Sequence, residues 1–284
     1  NDKGMYVQIS TKAILLDEAK AVMLLESGLD NIEFSIDGVT KETYESIRVR
    51  GNFERVIDNF LRFLLLRDRM GLEKPDVRAQ ITIEKATEGE VTKFFTHFGQ
   101  LPVRVTAATL FNFMGGIEES SLDFDNIPRN EFPRCNVPWG SLGINWNGDV
   151  CPCAMDYDGR YIAGNAFEED LINIWNNQRF QAFRKAINDR QNDDIERNGW
   201  LCSHCSWSWD WRNFAPDPDA TYPESFLATL PKGVKRFTES AKTFLPLVRA
   251  KRRAEMTKKS EFLRHHWQEW RDALMGEGRS DLKL

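Results

Sequence analysis

The sequence predicts an α/β fold: an open, partial (β/α) barrel of parallel strands, then a small α+β cysteine-rich domain and a helical tail. Three observations predict it. Segments with strand and helix periodicity alternate through residues 5–108. One face of every predicted strand is polar. All five cysteines fall between Cys135 and Cys205.

The elements follow in order. Residues 5–10 (MYVQIS) alternate at period two, the signal of a half-buried strand. A helix is expected over 17–27, with Gly28 as its stop. Residues 31–37 (NIEFSID) read as a second strand, and Thr40 can cap a short helix through Ile47. Residues 53–70 form a longer amphipathic helix ended by Gly71. A third strand is expected over 76–83. Thr87 is placed to cap a helix through Phe98, and a fourth strand covers 102–108. Strands separated by helices connect by crossovers and pair in parallel.

The alternation within the strands says what each face meets. Ile32, Phe34 and Ile36 oppose Glu33, Ser35 and Asp37, and Val77, Ala79 and Ile81 oppose Arg78, Gln80 and Thr82. Val7 and Ile9 oppose Gln8 and Ser10, and Val103, Val105 and Ala107 oppose Arg104 and Thr106. A parallel sheet covered by helices on both sides is apolar on both faces, and a filled barrel packs bulky apolar residues inside. One polar face in all four strands predicts a curved sheet with helices outside and a polar lumen within.

The 284 residues carry a net charge of −5, 41% hydrophobic and 29% charged residues, ordinary for a globular chain. No run of about 18 apolar residues occurs, so no transmembrane helix is expected. Residues 1–16 lack the pattern of a secretory signal, and a cytoplasmic location is expected. Residues 232–271 hold twelve Lys or Arg against four Glu, while the rest of the chain is acidic. A whole-protein attraction to nucleic acid is therefore not implied. The five clustered cysteines point to metal ligation rather than a disulfide framework.

Residues Ile32–Gly38 (IEFSIDG), Thr40–Arg48 (TKETYESIR), Gly51-Asn52-Phe53 and Val56–Asn59 resemble the fourth strand and following helices of radical S-adenosylmethionine (SAM) enzymes. The resemblance implies that Ser35 and Arg48 help to hold SAM at the carboxyl ends of the strands. A guanidinium suits a carboxylate or a ribose oxygen. Tyr6–Ser10 resembles the family's third strand, which is normally followed by Thr-Asn-Gly; here the residues are Thr11-Lys12-Ala13. The Cys-x3-Cys-x2-Cys loop of the SAM-cleaving cluster does not occur, nor does the Gly-Gly-Glu stretch. The resemblance therefore implies a fragment rather than a degenerate member, inactive alone.

Cys135, Cys153, Cys202 and Cys205 have the spacing Cys-x17-Cys-x48-Cys-x2-Cys. Taken as residues, four thiols suit either a tetrahedral zinc or an iron–sulfur cluster. The surroundings are more specific. Asn147-Gly148-Asp149 is a hairpin signal. Cys153 lies five positions after Gly148, and Asp156, Gly159, Gly164-Asn165, Leu171–Asn176 (LINIWN) and Arg184 follow. This set resembles the SPASM and twitch domains of radical SAM enzymes. It implies one auxiliary four-iron four-sulfur cluster on Cys135, Cys153, Cys202 and Cys205, with Cys151 apart. Trp200, Trp207, Trp209 and Trp211 are expected to shield the cluster, and His204 to lie outside the ligand set.

The expected domains are 1–128, the later portion of the barrel; 129–214, the iron–sulfur domain; and 215–284, a basic helical extension interrupted at Pro246. That extension is expected to dock on the acidic core, or to meet an anionic surface or carrier. The function implied is hydrogen abstraction by a 5′-deoxyadenosyl radical from a peptide, sugar or small molecule, with a flavodoxin or ferredoxin as electron donor. The alternative is a non-catalytic, zinc-stabilised binding protein on a half-barrel scaffold. No catalytic residue is identified.

Overall fold

The structure is a computed structural model that describes residues 4–110, 135, 137–189, 202, 205 and 232–275, with only the backbone of 109, 189 and 232–252. The chain divides into two compact units, Asn1–Thr109 with Asp217–Leu284, and Leu110–Pro216.

In the first unit, β1 (Gln8–Thr11), β2 (Asn31–Ser35), β3 (Asp76–Ile83) and β4 (Arg104–Thr109) form one parallel sheet in sequential order. The helices are α1 (Glu18–Glu26), α2 (Lys41–Ile47), α3 (Phe53–Arg69) and α4 (Val91–Phe98). β1 begins at Gln8, later than the alternation suggests. The reason is local: the Val7 N–H donates to Asp30, and the Val7 carbonyl accepts from both Asp30 and Asn31. Residue 7 is thus tied to the turn before β2.

The apolar faces of β2 and β3 behave as expected, whereas Val7 before β1 and Ala107 of β4, expected on the same buried face, are exposed. Ile32, Phe34, Val77, Ala79 and Ile81 are buried with Phe60, Phe63, Phe94 and Phe98 of α3 and α4 in one core. The Phe34 ring meets Phe60 and Phe63 edge-on at 5.0 and 5.5 Å. Each fully buried aromatic of this kind contributes roughly 2 kcal/mol. Side-by-side partners in a parallel sheet share a face. The register therefore lines up Ser10, Glu33, Arg78 and Arg104, and beside them Ser35, Gln80 and Thr106, opposite that core. Ser10 donates to Glu33 across this polar face at 3.2 Å.

Thr40 caps α2 as expected, accepting from the Thr43 N–H, and Asp17 caps α1, accepting from the Lys20 N–H. Thr87 does not cap. Its hydroxyl donates back to the Thr82 carbonyl at 2.6 Å and accepts from the Glu84 N–H at 2.9 Å. The oxygen is engaged at the end of β3, and the chain enters α4 through a 3₁₀ turn, Glu88–Glu90. This is the usual competition between a threonine's local hydrogen bonds and helix capping.

The basic tail is one helix, α8 (Lys232–Met275), that continues through Pro246 rather than breaking there. A proline removes one backbone donor and crowds the preceding turn, which kinks a helix without having to end it. The described part of α8 is anchored in the first unit's core by Leu263 and Trp270. Arg271 pairs with Asp58 of α3 at 2.6 Å, both buried; Arg264 pairs with Asp68 and Arg253 with Glu73. The cationic helix thus meets acidic groups of its own chain.

The second unit contains α5 (Val137–Gly140) and a three-stranded antiparallel sheet of β5 (Gly143–Ile144), β6 (Asp149–Cys151) and β7 (Gly164–Asn165). Helices α6 (Leu171–Asn176) and α7 (Gln178–Asp189) follow. Gly148 turns the β5–β6 hairpin at φ +87°, where a Cβ would strike Asn165 and the Phe167 ring within 2.7 Å. Val150, Ala163, Ile174 and Phe180 form its core.

Candidate functional site

The first unit gathers polar groups at the carboxyl end of β2, where sites of parallel sheets form. Ser35 ends the strand beside Gln80. Two residues on, Asp37 is 1% exposed. One of its oxygens accepts the Thr82 N–H of β3 at 2.9 Å, and the other accepts from Arg48 Nε at 2.8 Å and from Nη2. Arg48 is the residue that closes α2, and its side chain is 25% exposed. It is therefore turned toward the strand end rather than solvated at the helix terminus. Asp37 holds one edge of the fork and leaves Nη1 uncommitted among the described groups.

Two further residues shape this end. Glu90 accepts from the Val39 N–H at 2.6 Å and from the hydroxyls of Thr40 and Thr43 at 2.8 and 2.7 Å, tying the loop after Asp37 to the start of α4. Gly51 lies against Arg48 and Tyr44; a Cβ there would stand 2.7 Å from the Arg48 carbonyl and 2.8 Å from the Tyr44 ring. That explains the Gly of Gly51-Asn52-Phe53. Asp37 was legible as a polar strand residue, but its partner was not, because the two are eleven positions apart across a helix.

In the second unit the cysteines are all free. Burial pushes the Cys135 thiol up to about 11; the Val137 N–H on its sulfur acts the other way, and the nearby Cys153 adds to the rise. Burial likewise raises Cys153, whose sulfur accepts from the Met155 N–H at 3.4 Å. Cys202 is pushed well up, first by burial, then by the neighbouring thiols of Cys205, Cys135 and Cys153 and by Asp156. Backbone N–H groups already face two of the sulfurs, as thiolates held by a metal centre require.

Cys151 is different. It is 1% exposed within β6 and accepts from the Asn145 side chain at 3.6 Å. Burial raises its thiol to about 11. Arg184 braces the same region: Nε donates to the Pro138 carbonyl at 2.9 Å and Nη1 to the Trp175 carbonyl at 2.8 Å, with the guanidinium over the Trp175 and Phe180 rings. This fixes α5, just after Cys135, onto α6. Among the described residues no three His, Cys, Asp or Glu groups already stand as a metal-ion site. By residue type, four cysteines are the donors that an iron–sulfur cluster takes. His204, Trp200, Trp207, Trp209 and Trp211 lie outside the described residues.

Comparison with known proteins bears on this set directly. Residues 135–206 match the SPASM family, described as an iron–sulfur cluster-binding domain. The S-adenosyl-L-methionine-dependent 2-deoxy-scyllo-inosamine dehydrogenase of Niallia circulans is 30% identical over 84 residues, 29% of this chain and 32% of that protein. PqqA peptide cyclase of Rhizobium meliloti (strain 1021) is 25% identical over 210 residues, 64% of this chain and 56% of that protein. The chain therefore spans about a third of the first relative's length and just over half of the second's. Among solved structures, anSMEcpe with bound AdoMet aligns over 94% of this chain and 77% of that chain, at a TM-score of 0.44 and 15% identity. The zinc-stabilised binding protein is not favoured, since the matching family binds iron–sulfur clusters.

Proposed function

We propose that this chain, which matches the SPASM iron–sulfur cluster-binding family over residues 135–206 and is similar to the two relatives above, is part of a radical SAM enzyme that abstracts hydrogen from its substrate by way of a 5′-deoxyadenosyl radical. The parallel sheet of the first unit belongs in this reading to a partial barrel whose polar face forms the lumen. The observation that carries the proposal is the SPASM match over the segment that holds Cys135, Cys153, Cys202 and Cys205. Those four cysteines are the proposed ligands of one auxiliary four-iron four-sulfur cluster. Bound there, the cluster supplies one-electron chemistry.

At the other site, Ser35 and Arg48 are the proposed contacts for SAM. The Arg48 guanidinium, fixed by Asp37, offers Nη1 to an anionic or oxygen-rich group, and Ser35 adds a hydroxyl at the strand end. Asp37 also prevents Arg48 from swinging into solvent, which lowers the ordering cost of binding. The substrate class is that of the relatives' names taken broadly: a peptide, a sugar-like compound or another small molecule. The electron donor in this reading is a flavodoxin or ferredoxin.

The test is anaerobic reconstitution of the 284-residue chain with iron and sulfide. The expected product is brown, with broad visible absorbance and about four irons and four sulfides per chain. A colourless protein holding a single zinc would overturn the reading.

A further inference from the structure

Glu90 joins two elements that lie far apart in the sequence. It stands in the 3₁₀ turn before α4, 50 positions beyond Thr40. One carboxylate oxygen accepts the Val39 N–H at 2.6 Å, and the other accepts the Thr40 and Thr43 hydroxyls at 2.8 and 2.7 Å. Those two hydroxyls also meet each other at 3.0 Å. The first turn of α2 is thus closed on itself and then fixed to the start of another helix. Gly38 lets the loop come this close. At its φ of +137°, a Cβ would stand 3.2 Å from the Thr43 methyl group and from the Tyr44 nitrogen, and 3.3 Å from the Glu90 carboxylate.

The far end of α2 is the end that carries chemistry. The helix is only seven residues long, about two turns, so it shifts as one body. Arg48 closes it, with its guanidinium on Asp37. Between the two ends Tyr44 is 1% exposed and packs on the Phe53 ring at 5.5 Å. Asp37 fixes the tip of the arginine, whereas Glu90 fixes the backbone from which that side chain starts. We propose that Glu90 is a positioning residue for the strand-end site: by holding the first turn of α2 it sets where Arg48 presents Nη1, and so how tightly the site takes SAM. This role rests on the reading of Ser35 and Arg48 as SAM contacts and adds a residue that acts through Arg48. A guanidinium recognises oxygens through a fork of fixed geometry, so a displaced helix loses hydrogen bonds outright.

The experiment is calorimetric titration of the full 284-residue chain with SAM. It is paired with a measurement, by nuclear magnetic resonance without SAM, of how quickly the Arg48 Nε–H exchanges with solvent. Glu90→Ala removes all three contacts. If Arg48 is then in place about a tenth of the time, SAM affinity falls about tenfold and the Nε–H exchanges roughly tenfold faster. Glu90→Gln is expected to restore both values, because its amide oxygen accepts the Val39 N–H and its amide nitrogen donates to the threonine hydroxyls. Arg48→Gln combined with Glu90→Ala should bind SAM no more weakly than Arg48→Gln alone, since residues acting through one contact do not add. Should the Glu90→Ala chain fail to fold, Thr43→Val is measured in its place, as it deletes one of the hydroxyls on Glu90 and keeps the side-chain shape. Parent-like affinity and exchange in the folded variant, or additive losses in the double variant, overturn the role of Glu90. A parent chain that takes up no SAM overturns the reading of Ser35 and Arg48 itself, and the role of Glu90 with it.

Discussion

Cys151 and Cys153 are two positions apart in the sequence and chemically identical, yet their surroundings separate them. Cys151 is enclosed at the end of β6 against Asn145, while Cys153 lies beyond the strand with its sulfur accepting from the Met155 N–H. Changing Cys153 to Ala is therefore expected to remove most of the iron bound after reconstitution, and changing Cys151 to Ala to remove little. Metal content of the two variants decides the assignment, and loss of iron from the Cys151 variant alone would reverse it. Ala13 makes a second point at this scale. It adopts φ +59°, a left-handed conformation that costs a non-glycine residue roughly 1 kcal/mol. It does so where the Thr-Asn-Gly of the resembling family has its glycine, so the backbone keeps a turn that the sequence disguises. The Asn59 side chain donates to its carbonyl at 2.8 Å and helps to hold the turn.

At the scale of elements, the long basic helix had two readings in the sequence, docking on the acidic core or meeting an anionic surface or carrier. In the folded chain Arg253, Arg264 and Arg271 pair with Glu73, Asp68 and Asp58, and Trp270 covers the end of α4. There the Trp270 indole donates to the His97 carbonyl at 2.9 Å and lies over the His97 ring at a centroid distance of 4.2 Å. Burial lowers the His97 pKa from 6.5 to about 4. The folded form therefore binds a proton less readily than the unfolded chain. Its contribution to stability is fully present above pH 6.5 and is lost as the pH falls from there toward 4. His97→Phe keeps the aromatic contact and removes the titration. The variant is expected to lose less of its melting temperature than the parent between about pH 7 and pH 5. Equal losses in the two chains would show that this histidine does not control the docking of α8.

For the whole molecule, the two units carry different chemistry. The first presents a half-buried arginine at a strand end, and the second a set of thiols. The 284 residues contain no Cys-x3-Cys-x2-Cys sequence, which the radical-generating cluster needs in the proposed family. The purified chain, reconstituted and reduced, is accordingly expected to make no 5′-deoxyadenosine from SAM. Detection of that product by chromatography would show that another set of residues performs the cleavage.

The sequence by itself determined the alternation of parallel strands and helices, the faces of β2 and β3, and the Thr40 cap, because these depend on residue periodicity and on contacts three or four positions away. It determined the hairpin at Gly148 for the same reason, since the left-handed turn is a local demand. Clustering and residue type pointed to metal ligation by the cysteines, while the choice of an iron–sulfur cluster over zinc came from the family resemblance of the surrounding residues. Only the tertiary structure decided which partners those residues have. Asp37 meets Arg48 across a helix, Glu90 reaches back to Val39 and Thr43, and Arg271 finds Asp58 from the other end of the chain. Thr87 failed to cap because its hydroxyl met the end of β3 first. The physical reason is common to all four. A buried polar group takes whichever partner the folded backbone brings within hydrogen-bond distance, and that choice is set by packing rather than by separation along the sequence.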